Sequence, residues 1–130
     1  MDTSALIAAL VADHEHHSIS RPHLSVNLRL PAIVLAETFG QLRRTLGQSA
    51  ANATAVLRPW ATHPTHILPT TSAAVSTIFG RAVELDLAGS IHDALIAQVC
   101  VDADVPIVTL DGRLHRMALA LGARSVYLLA

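Results

Sequence analysis

Four acidic residues stand where their side chains could act together. Asp2 and Asp111 each lie where a strand would lead into a helix, and Asp93 falls in the first turn of another predicted helix. Glu37 follows a short apolar run, on a helix of its own. Each position alone has an ordinary explanation as a helix cap, a turn or a solvated side chain. In a parallel sheet, however, all four can converge on one end, and we expect them to form one acidic cluster.

Such a cluster calls for a cation. Two carboxylates ~4 Å apart repel each other by roughly 4 kcal/mol at an effective dielectric of about 20. Carboxylate oxygens and water suit Mg²⁺ or Mn²⁺, and one cysteine in the whole chain leaves no thiol cluster for a softer metal. A metal in this position lowers the pKa of a bound water and offsets charge on a phosphorus under attack. The acids therefore predict a Mg²⁺ or Mn²⁺ site suited to phosphodiester hydrolysis.

The elements that would position these acids alternate along the chain, as in an α/β fold. A first helix follows a cap at Asp2-Thr3-Ser4, and further helices are predicted over 35–46, 49–60 (closed by Pro59), 72–87, 90–103 and 113–121. Short strands are predicted at 66–68, 106–110 and 125–129, and 30–34 either begins a helix or forms a strand feeding one. Apolar runs without alternation indicate a parallel sheet covered on both faces.

Composition narrows the class of protein. A chain of 130 residues has room for one domain over 1–130, and 52% hydrophobic residues with a mean hydropathy of +0.45 exclude disorder. Its apolar runs fall short of the ~18 to 20 residues of a membrane helix and its start carries no basic leader, so we expect a soluble, cytoplasmic protein. Cys100, the single cysteine, excludes an internal disulfide and fits a reducing compartment.

The charge balance limits how a polyanion could be held. With a net charge of −1, bulk electrostatics cannot bind nucleic acid, so local arginines or a metal must do so. Arg113 and Arg116 follow Asp111, and Arg43-Arg44 follow Glu37, where they either grip phosphate or are solvated helix residues. The run His14-Glu15-His16-His17 has no standard metal-ligand spacing and is interpreted as an exposed helix end.

The start of the chain lacks a strand that the fold should contain. Only Met1 precedes Asp2, whereas 107–110 shows what a buried strand looks like in this protein. An empty slot in the sheet would leave backbone groups unpaired, each costing roughly 1 to 3 kcal/mol. We expect either that the natural start lies upstream of Met1 or that the sheet has lost a strand. The first strand is thus predicted to be truncated.

Four short blocks carry a family resemblance. They are Asp2-Thr3-Ser4-Ala5-Leu6, Leu35-Ala36-Glu37, His92-Asp93-Ala94-Leu95-Ile96-Ala97 and Val108-Thr109-Leu110-Asp111-Gly112-Arg113-Leu114. In this order they resemble the signature blocks of the PIN-domain ribonucleases, and above all those of the VapC toxins of bacterial toxin–antitoxin pairs. The resemblance implies a three-layer α/β/α sandwich with a central, mainly parallel sheet.

The same resemblance implies an activity and its residues. It implies a Mg²⁺- or Mn²⁺-dependent endoribonuclease whose catalytic and metal-binding residues are Asp2, Glu37, Asp93 and Asp111. Candidates for a supporting or substrate-contacting role are Thr3, Ser4, His92, Thr109 and Arg113. A VapC-like protein would cut RNA, be restrained by a cognate antitoxin and form a homodimer.

Two other functions use the same residues. A PIN fold without catalytic activity could bind its partner peptide or RNA, although the presence of all four acids argues against this. A Mg²⁺ phosphohydrolase of small phosphate esters could use the same carboxylates, but the chain has neither an Asp-x-Asp nucleophile pair nor a phosphate-cradling glycine loop. Metal-dependent RNA cleavage distinguishes the first function from both.

Overall fold

Helices make up most of the fold, and its strands are short. The computed structural model describes residues 1–86 and 91–130. The helices in these residues are α1 (Thr3–Leu10), α2 (His17–Ser20), α3 (Ala32–Arg44), α4 (Ala50–Ala61), α5 (Ser72–Arg81), α6 (Ile91–Asp102) and α7 (Gly112–Ala120). The strands are β1 (Leu30–Pro31), β2 (Ile67–Leu68), β3 (Ile107–Thr109) and β4 (Ser125–Tyr127), and 3₁₀ turns cover Arg21–His23 and Pro64–His66. Helix and strand alternate, as the sequence predicts.

The strands form two parallel pairs. β1 lies beside β2, and β3 lies beside β4 with Ile107 opposite Ser125. This pairing confirms the predicted parallel arrangement. Within the part of the chain that the structure describes, no strand ladder joins the two pairs. The backbone at the beginning of the chain bonds to β3 once, from the Asp2 N–H to the Val108 carbonyl at 3.0 Å.

Buried side chains form clusters on both faces of the strands. Ile107 of β3 packs with α5, α6 and α7, whereas its neighbour Val108 packs against the cluster of α1, α3 and α4. Successive residues of a strand point to opposite faces, so helices cover the strands on two sides. Helix α6 contributes to both clusters, Ala94 to one and Ile96 to the other. The arrangement is a helix layer, a strand layer and a second helix layer.

Helix α1 is apolar on all sides and is buried accordingly. Its core residues Ala5, Leu6 and Ala8 are fully buried, and a buried leucine side chain stabilises the fold by roughly 1.5 to 3 kcal/mol. The helix starts at Asp2, whose side chain accepts a hydrogen bond from the Ala5 backbone N–H. An acidic side chain is therefore fixed at the centre of the protein by the helix that follows it.

Two predicted helix boundaries are wrong. Pro59 does not close α4, which continues to Ala61, because a proline close to the last turn removes only one hydrogen-bond donor. Helix α5 ends at Arg81 and turns follow it up to Asp86, which has a positive φ of 48°. Residues 87–90, which include Gly89 and the predicted helix start at Ser90, lie outside the described residues.

Trp60 connects α4 to the segment before β1. Its side chain is 3% exposed, and its indole N–H donates to the Ser25 carbonyl at 2.9 Å. The bond fixes a segment of irregular backbone onto the helix layer. Trp60 is thus a packing residue.

Cys100 lies buried in α6, where burial raises the pKa of its thiol to about 11. It is an uncharged core residue. Among the described helices, none is both long enough and apolar enough to cross a lipid bilayer.

Candidate active site

All four predicted acids line one pocket of about 430 Å³. Each comes from a different element: Asp2 precedes α1, Glu37 lies in α3, Asp93 is in the first turn of α6, and Asp111 precedes α7. Residues that are far apart in the sequence therefore meet at one place. The predicted convergence is present in the structure.

Asp2 is the most deeply buried of these acids, with 4% of its surface exposed. Its Oδ1 accepts from the Ala5 backbone N–H at 3.0 Å, and its Oδ2 accepts from the Thr109 hydroxyl at 2.8 Å. The Ser4 hydroxyl lies 3.0 and 2.8 Å from the two oxygens. Burial raises the pKa of Asp2, and these hydrogen bonds oppose the rise because they favour the charged form. Asp2 caps α1, as predicted, in one fixed orientation.

Two hydroxyls connect Asp2 to the turn between β3 and α7. The Thr109 hydroxyl donates to Asp2 and accepts from the Asp111 backbone N–H at 2.9 Å. The Ser4 hydroxyl also donates to Asp2 and accepts from the Leu110 backbone N–H at 3.3 Å. A hydroxyl can do both at once, so each bridge satisfies two polar groups. Ser4 and Thr109, both predicted to support the acids, hold two of them in register.

Glu37 receives contacts from two neighbouring helices. Its Oε2 accepts from the Thr3 hydroxyl of α1 at 2.5 Å, and its Oε1 lies 3.4 Å from Nδ1 of His92 in α6. Thr3 is buried, whereas the His92 side chain is 71% exposed. The candidates Thr3 and His92 therefore both touch an acid of the cluster, and they fix the carboxylate of α3 between the other helices.

Asp93 shows the strongest electrostatic effect of the clustering. Its pKa is raised from 3.8 to about 6, first because burial disfavours the charged form, and then because Asp111, Glu37 and Asp2 carry the same charge. His92 acts in the opposite direction. A carboxyl group shifted in this way by its neighbours is typical of functional sites, and a cation would relieve the repulsion.

Asp111 caps α7, as its position after an apolar strand predicts. Its Oδ1 accepts from the backbone N–H groups of Arg113 and Leu114 at 2.7 and 3.4 Å. The candidate Arg113 thus contacts an acid through its backbone, while its side chain is exposed.

The arginines do not face the pocket. None of the described residues that line it is an arginine. Arg43 is exposed and donates to the Gln48 carbonyl, and the Arg44 guanidinium folds back over Gly40 on the same helix. Long flexible side chains near a helix end reach backbone carbonyls and water more easily than a recessed pocket. The arginines therefore lie outside the pocket, and the choice between a phosphate grip and solvated helix arginines stays a prediction.

The pocket suits a divalent metal by its donors rather than by a preformed cage. In residues 1–86 and 91–130, no three His, Cys, Asp or Glu side chains are grouped closely enough to hold an ion together. Mg²⁺ keeps several of its waters in most protein sites and takes one or two carboxylates directly. Four carboxylates around one pocket, one of them with a pKa raised by the others, fit such a partly hydrated ion. Asp2, Glu37, Asp93 and Asp111 could hold it, and Asp2 is the most firmly anchored of them.

Two histidines of the pocket were not predicted to lie there. His14 and His16 line it, and both are half-buried, so their interpretation as an exposed helix end is wrong. The segment from His14 to His17 folds back onto α1, where the His17 ring nitrogen Nδ1 lies 2.9 Å from the Ala8 carbonyl. The only signal in the sequence was the density of histidines directly after the first helix.

Comparison with known proteins decides the family. Residues 1–119 match the family model described as the PIN domain. The chain belongs to the PIN-domain family. The resemblance carried by the four sequence blocks is thereby confirmed. PIN domains are in general nucleases, and family membership therefore supports a nuclease activity for this chain.

The fold of this PIN domain also occurs among solved structures. It is similar to a chain of a structure described as FitAB bound to an IR36 DNA fragment, with a TM-score of 0.68 and 18% sequence identity. The similarity covers 99% of this chain and 94% of that chain. At this identity the likeness concerns the fold, and it confirms the three-layer α/β/α sandwich with mainly parallel strands. No curated protein matches the chain.

Proposed function

We propose that this PIN domain is a Mg²⁺- or Mn²⁺-dependent endoribonuclease that acts as the toxin of a toxin–antitoxin pair. The observation that carries the proposal is the meeting of Asp2, Glu37, Asp93 and Asp111 in one pocket of a PIN domain. The resemblance of the four blocks to VapC toxins favours RNA as the substrate. The structural neighbour is described as bound to DNA, which makes DNA the substrate to test against RNA.

The residues of the pocket have separable roles in this chemistry. When bound, Mg²⁺ or Mn²⁺ supplies a water of lowered pKa and positive charge beside the phosphorus. Asp2, Glu37, Asp93 and Asp111 would hold the ion. Asp2 also orders the turn that carries Asp111, through the Ser4 and Thr109 hydroxyls. Asp2, Glu37 and Asp111 are each held by hydrogen bonds, so little reorganisation of these three acids is needed when a metal enters.

The nuclease is tested by cleavage of defined substrates. We expect the purified chain to cut single-stranded RNA internally, to stop on addition of EDTA and to recover with Mg²⁺ or Mn²⁺. Asp93→Asn should lower the cleavage rate by roughly 100-fold or more, since a metal ligand and a charge are lost. Asp102→Asn, an exposed residue of the same helix, is the matched control and should leave the rate unchanged.

Other outcomes separate the alternatives. A fully active Asp93→Asn protein would show that cleavage does not depend on the acid cluster. Metal-dependent cleavage of DNA but not of RNA would change the substrate. RNA binding without cleavage would favour a catalytically silent binding module, and hydrolysis of chromogenic phosphate esters without RNA cleavage would favour a phosphohydrolase.

The toxin role has an independent test. Expression of the chain alone should arrest bacterial growth, and coexpression with the product of the adjacent gene should relieve the arrest. An arginine of such an antitoxin could take the place of the metal among the carboxylates, because a guanidinium offers charge and paired donors. Failure of coexpression to restore growth would contradict the antitoxin pairing and leave the nuclease standing. The homodimer implied by the VapC resemblance is tested by sedimentation of the purified chain.

A further inference from the structure

Two histidines line the acid pocket and have no part in the proposed metal chemistry. His14 and His16 are both half-buried, and their ring centroids lie 5.8 Å apart with the planes tilted by 49°. Neither residue belongs to the four blocks that carry the family resemblance. The pocket therefore has a second chemical component beside its carboxylates.

The histidine segment is fixed in position by backbone bonds. The His14 N–H donates to the Val11 carbonyl at 3.0 Å, and the His17 N–H donates to the His14 carbonyl at 2.9 Å. The ring of His17 is held by the Ala8 carbonyl. The segment thus lies against α1, the helix that begins at Asp2. These bonds order the backbone that carries His14 and His16 beside the pocket.

The hydrogen bonding of His14 determines which of its nitrogens can donate. The His16 backbone N–H donates to Nδ1 of His14 at 3.1 Å. A backbone N–H can only donate, so Nδ1 acts as the acceptor and the neutral ring carries its hydrogen on Nε2. His14 therefore offers an N–H donor from the distal side of the ring. Nε2 of His16 lies 3.7 Å from the carboxylate of Glu15. This contact is solvent-exposed and therefore weak.

The charge of the pocket creates a need for such donors. Four carboxylates line the pocket, and no arginine does so among the described residues. A phosphodiester that approaches them is repelled, and a divalent cation offsets only part of that charge. N–H groups that donate to phosphate oxygens form short, strong hydrogen bonds. The imidazole rings of His14 and His16 can supply such N–H donors at the wall of the pocket.

We propose that His14 and His16 bind a backbone phosphate of the RNA beside the bond that is cut, and so set where the strand lies over the acids. The inference rests on the proposed nuclease function and adds to it two substrate-binding residues. It assigns them to the polynucleotide rather than to the metal, because the carboxylates already supply the oxygen donors that Mg²⁺ prefers.

The chain allows an atom-specific test at His14. In His14→Asn, the amide oxygen can still accept from the His16 N–H, but the distal donor is gone. In His14→Gln, the amide NH₂ can reach the place of Nε2–H, so the donor is retained. His16→Asn removes the second ring, and His23→Asn is the matched control because His23 is exposed and does not line the pocket.

Each variant is measured in two ways with a short single-stranded RNA of mixed sequence. The Kd is obtained from fluorescence anisotropy in EDTA, and KM and kcat are obtained from cleavage with Mg²⁺. We expect His14→Asn and His16→Asn each to raise Kd and KM about tenfold, with kcat changed less than about threefold. His14→Gln should stay within about threefold of the unchanged protein in all three constants, and His23→Asn should behave like the unchanged protein. Melting temperatures report folding, and if His14→Asn does not fold, His16→Asn and His14→Gln decide.

Several results would overturn the inference. If the protein cleaves RNA and the variants keep its KM and Kd, the histidines do not bind substrate and the nuclease proposal stands. A fall in kcat alone, with KM and Kd unchanged, also overturns it. If the protein binds RNA but does not cleave it, the nuclease proposal fails and the Kd values alone decide about the histidines. If it neither binds nor cleaves RNA, both proposals fall.

Discussion

Thr109 and Thr38 have the same burial and opposite hydrogen bonding. Both are fully buried, but Thr109 bridges Asp2 and Asp111, whereas the hydroxyl of Thr38 finds no hydrogen-bond partner in the described residues. Valine has nearly the same shape as threonine. Thr109→Val should lower the free energy of unfolding by about 1 to 3 kcal/mol, because it leaves a buried carboxylate and an N–H short of a partner. Urea denaturation measures the change.

The matched substitution Thr38→Val gives the contrast. It should leave the free energy of unfolding unchanged or raise it, since an unpaired buried hydroxyl is replaced by a methyl group. Equal losses in the two variants would show that the bridge of Thr109 has no special energetic role.

Asp93→Asn should stabilise the metal-free protein. The pKa of Asp93 is raised to about 6 in the fold, so above that pH the folded state holds a charge that burial and its neighbours disfavour. Removal of the charge should raise Tm by a few degrees in EDTA at pH 7 to 8. The advantage should shrink as the pH falls below about 6 and vanish below about 4, where the carboxyl is protonated in both states. Thermal melts over a range of pH, with Asp102→Asn as the control, measure this difference in Tm. An Asp93→Asn protein that melts lower than the unchanged protein at every pH would contradict the prediction.

The acids of the site could be predicted because each has a local signature. Asp2 and Asp111 stand at helix starts and Asp93 in a first turn, and such positions follow from sequence order alone. His14 and His16 could not be found in this way. Whether their rings face the pocket depends on how the turn after α1 folds back onto that helix, which is a tertiary contact with no period in the sequence.

One glycine lies within helix α3 and another follows its end, and replacement by alanine should have opposite effects on stability at the two positions. The nearest atoms that a Cβ added at Gly40 would meet belong to the Arg44 guanidinium, 2.6 Å away at the closest, which is the free end of a flexible side chain. Gly40→Ala should therefore raise the free energy of unfolding by up to about 1 kcal/mol, through higher helix propensity, and displace Arg44 into solvent. Gly47 has open space around it but a φ of +64°.

The companion variant Gly47→Ala should lose about 1 kcal/mol, because an L side chain is strained in that conformation. Both values come from chemical denaturation of otherwise identical proteins. A gain at Gly47, or a loss of several kcal/mol at Gly40, would contradict this account of the helix and its end.

The helices were predictable to within a few residues, and the strands less well. Caps such as Ser49 and Thr71 mark helix starts by a side-chain bond to the backbone, so their effect is local. The strands have only two or three residues, too few for a periodic pattern, and Leu30 and Pro31 form a strand only because Ile67 and Leu68 lie beside them. Whether a further strand precedes Asp2 stays a prediction, and apolar residues added there should raise Tm if they pair with β3.

At the scale of the molecule, metal and proton compete for the same carboxylates. The groups that face Asp93 are Asp111, Glu37, Asp2 and His92, and the first three raise its pKa. Below about pH 6, Asp93 holds a proton that a metal ion would have to displace. Mg²⁺ should therefore raise Tm more at pH 8 than at pH 5, by mass action on the folded state. An increase of equal size at both pH values would place the bound ion away from the acid pocket.

The indole of Trp60 gives the protein an optical probe of its own. It is the only tryptophan in the chain, it is sealed from water, and it is bonded to the Ser25 carbonyl. Its emission should therefore be at short wavelength in the native protein and shift to the red when α4 separates from the segment before β1. Selective excitation of this ring reports that separation without a dye. Acrylamide quenching of the Trp60 fluorescence, measured while substrate is titrated, would then show whether binding in the acid pocket changes the solvent access of helix α4.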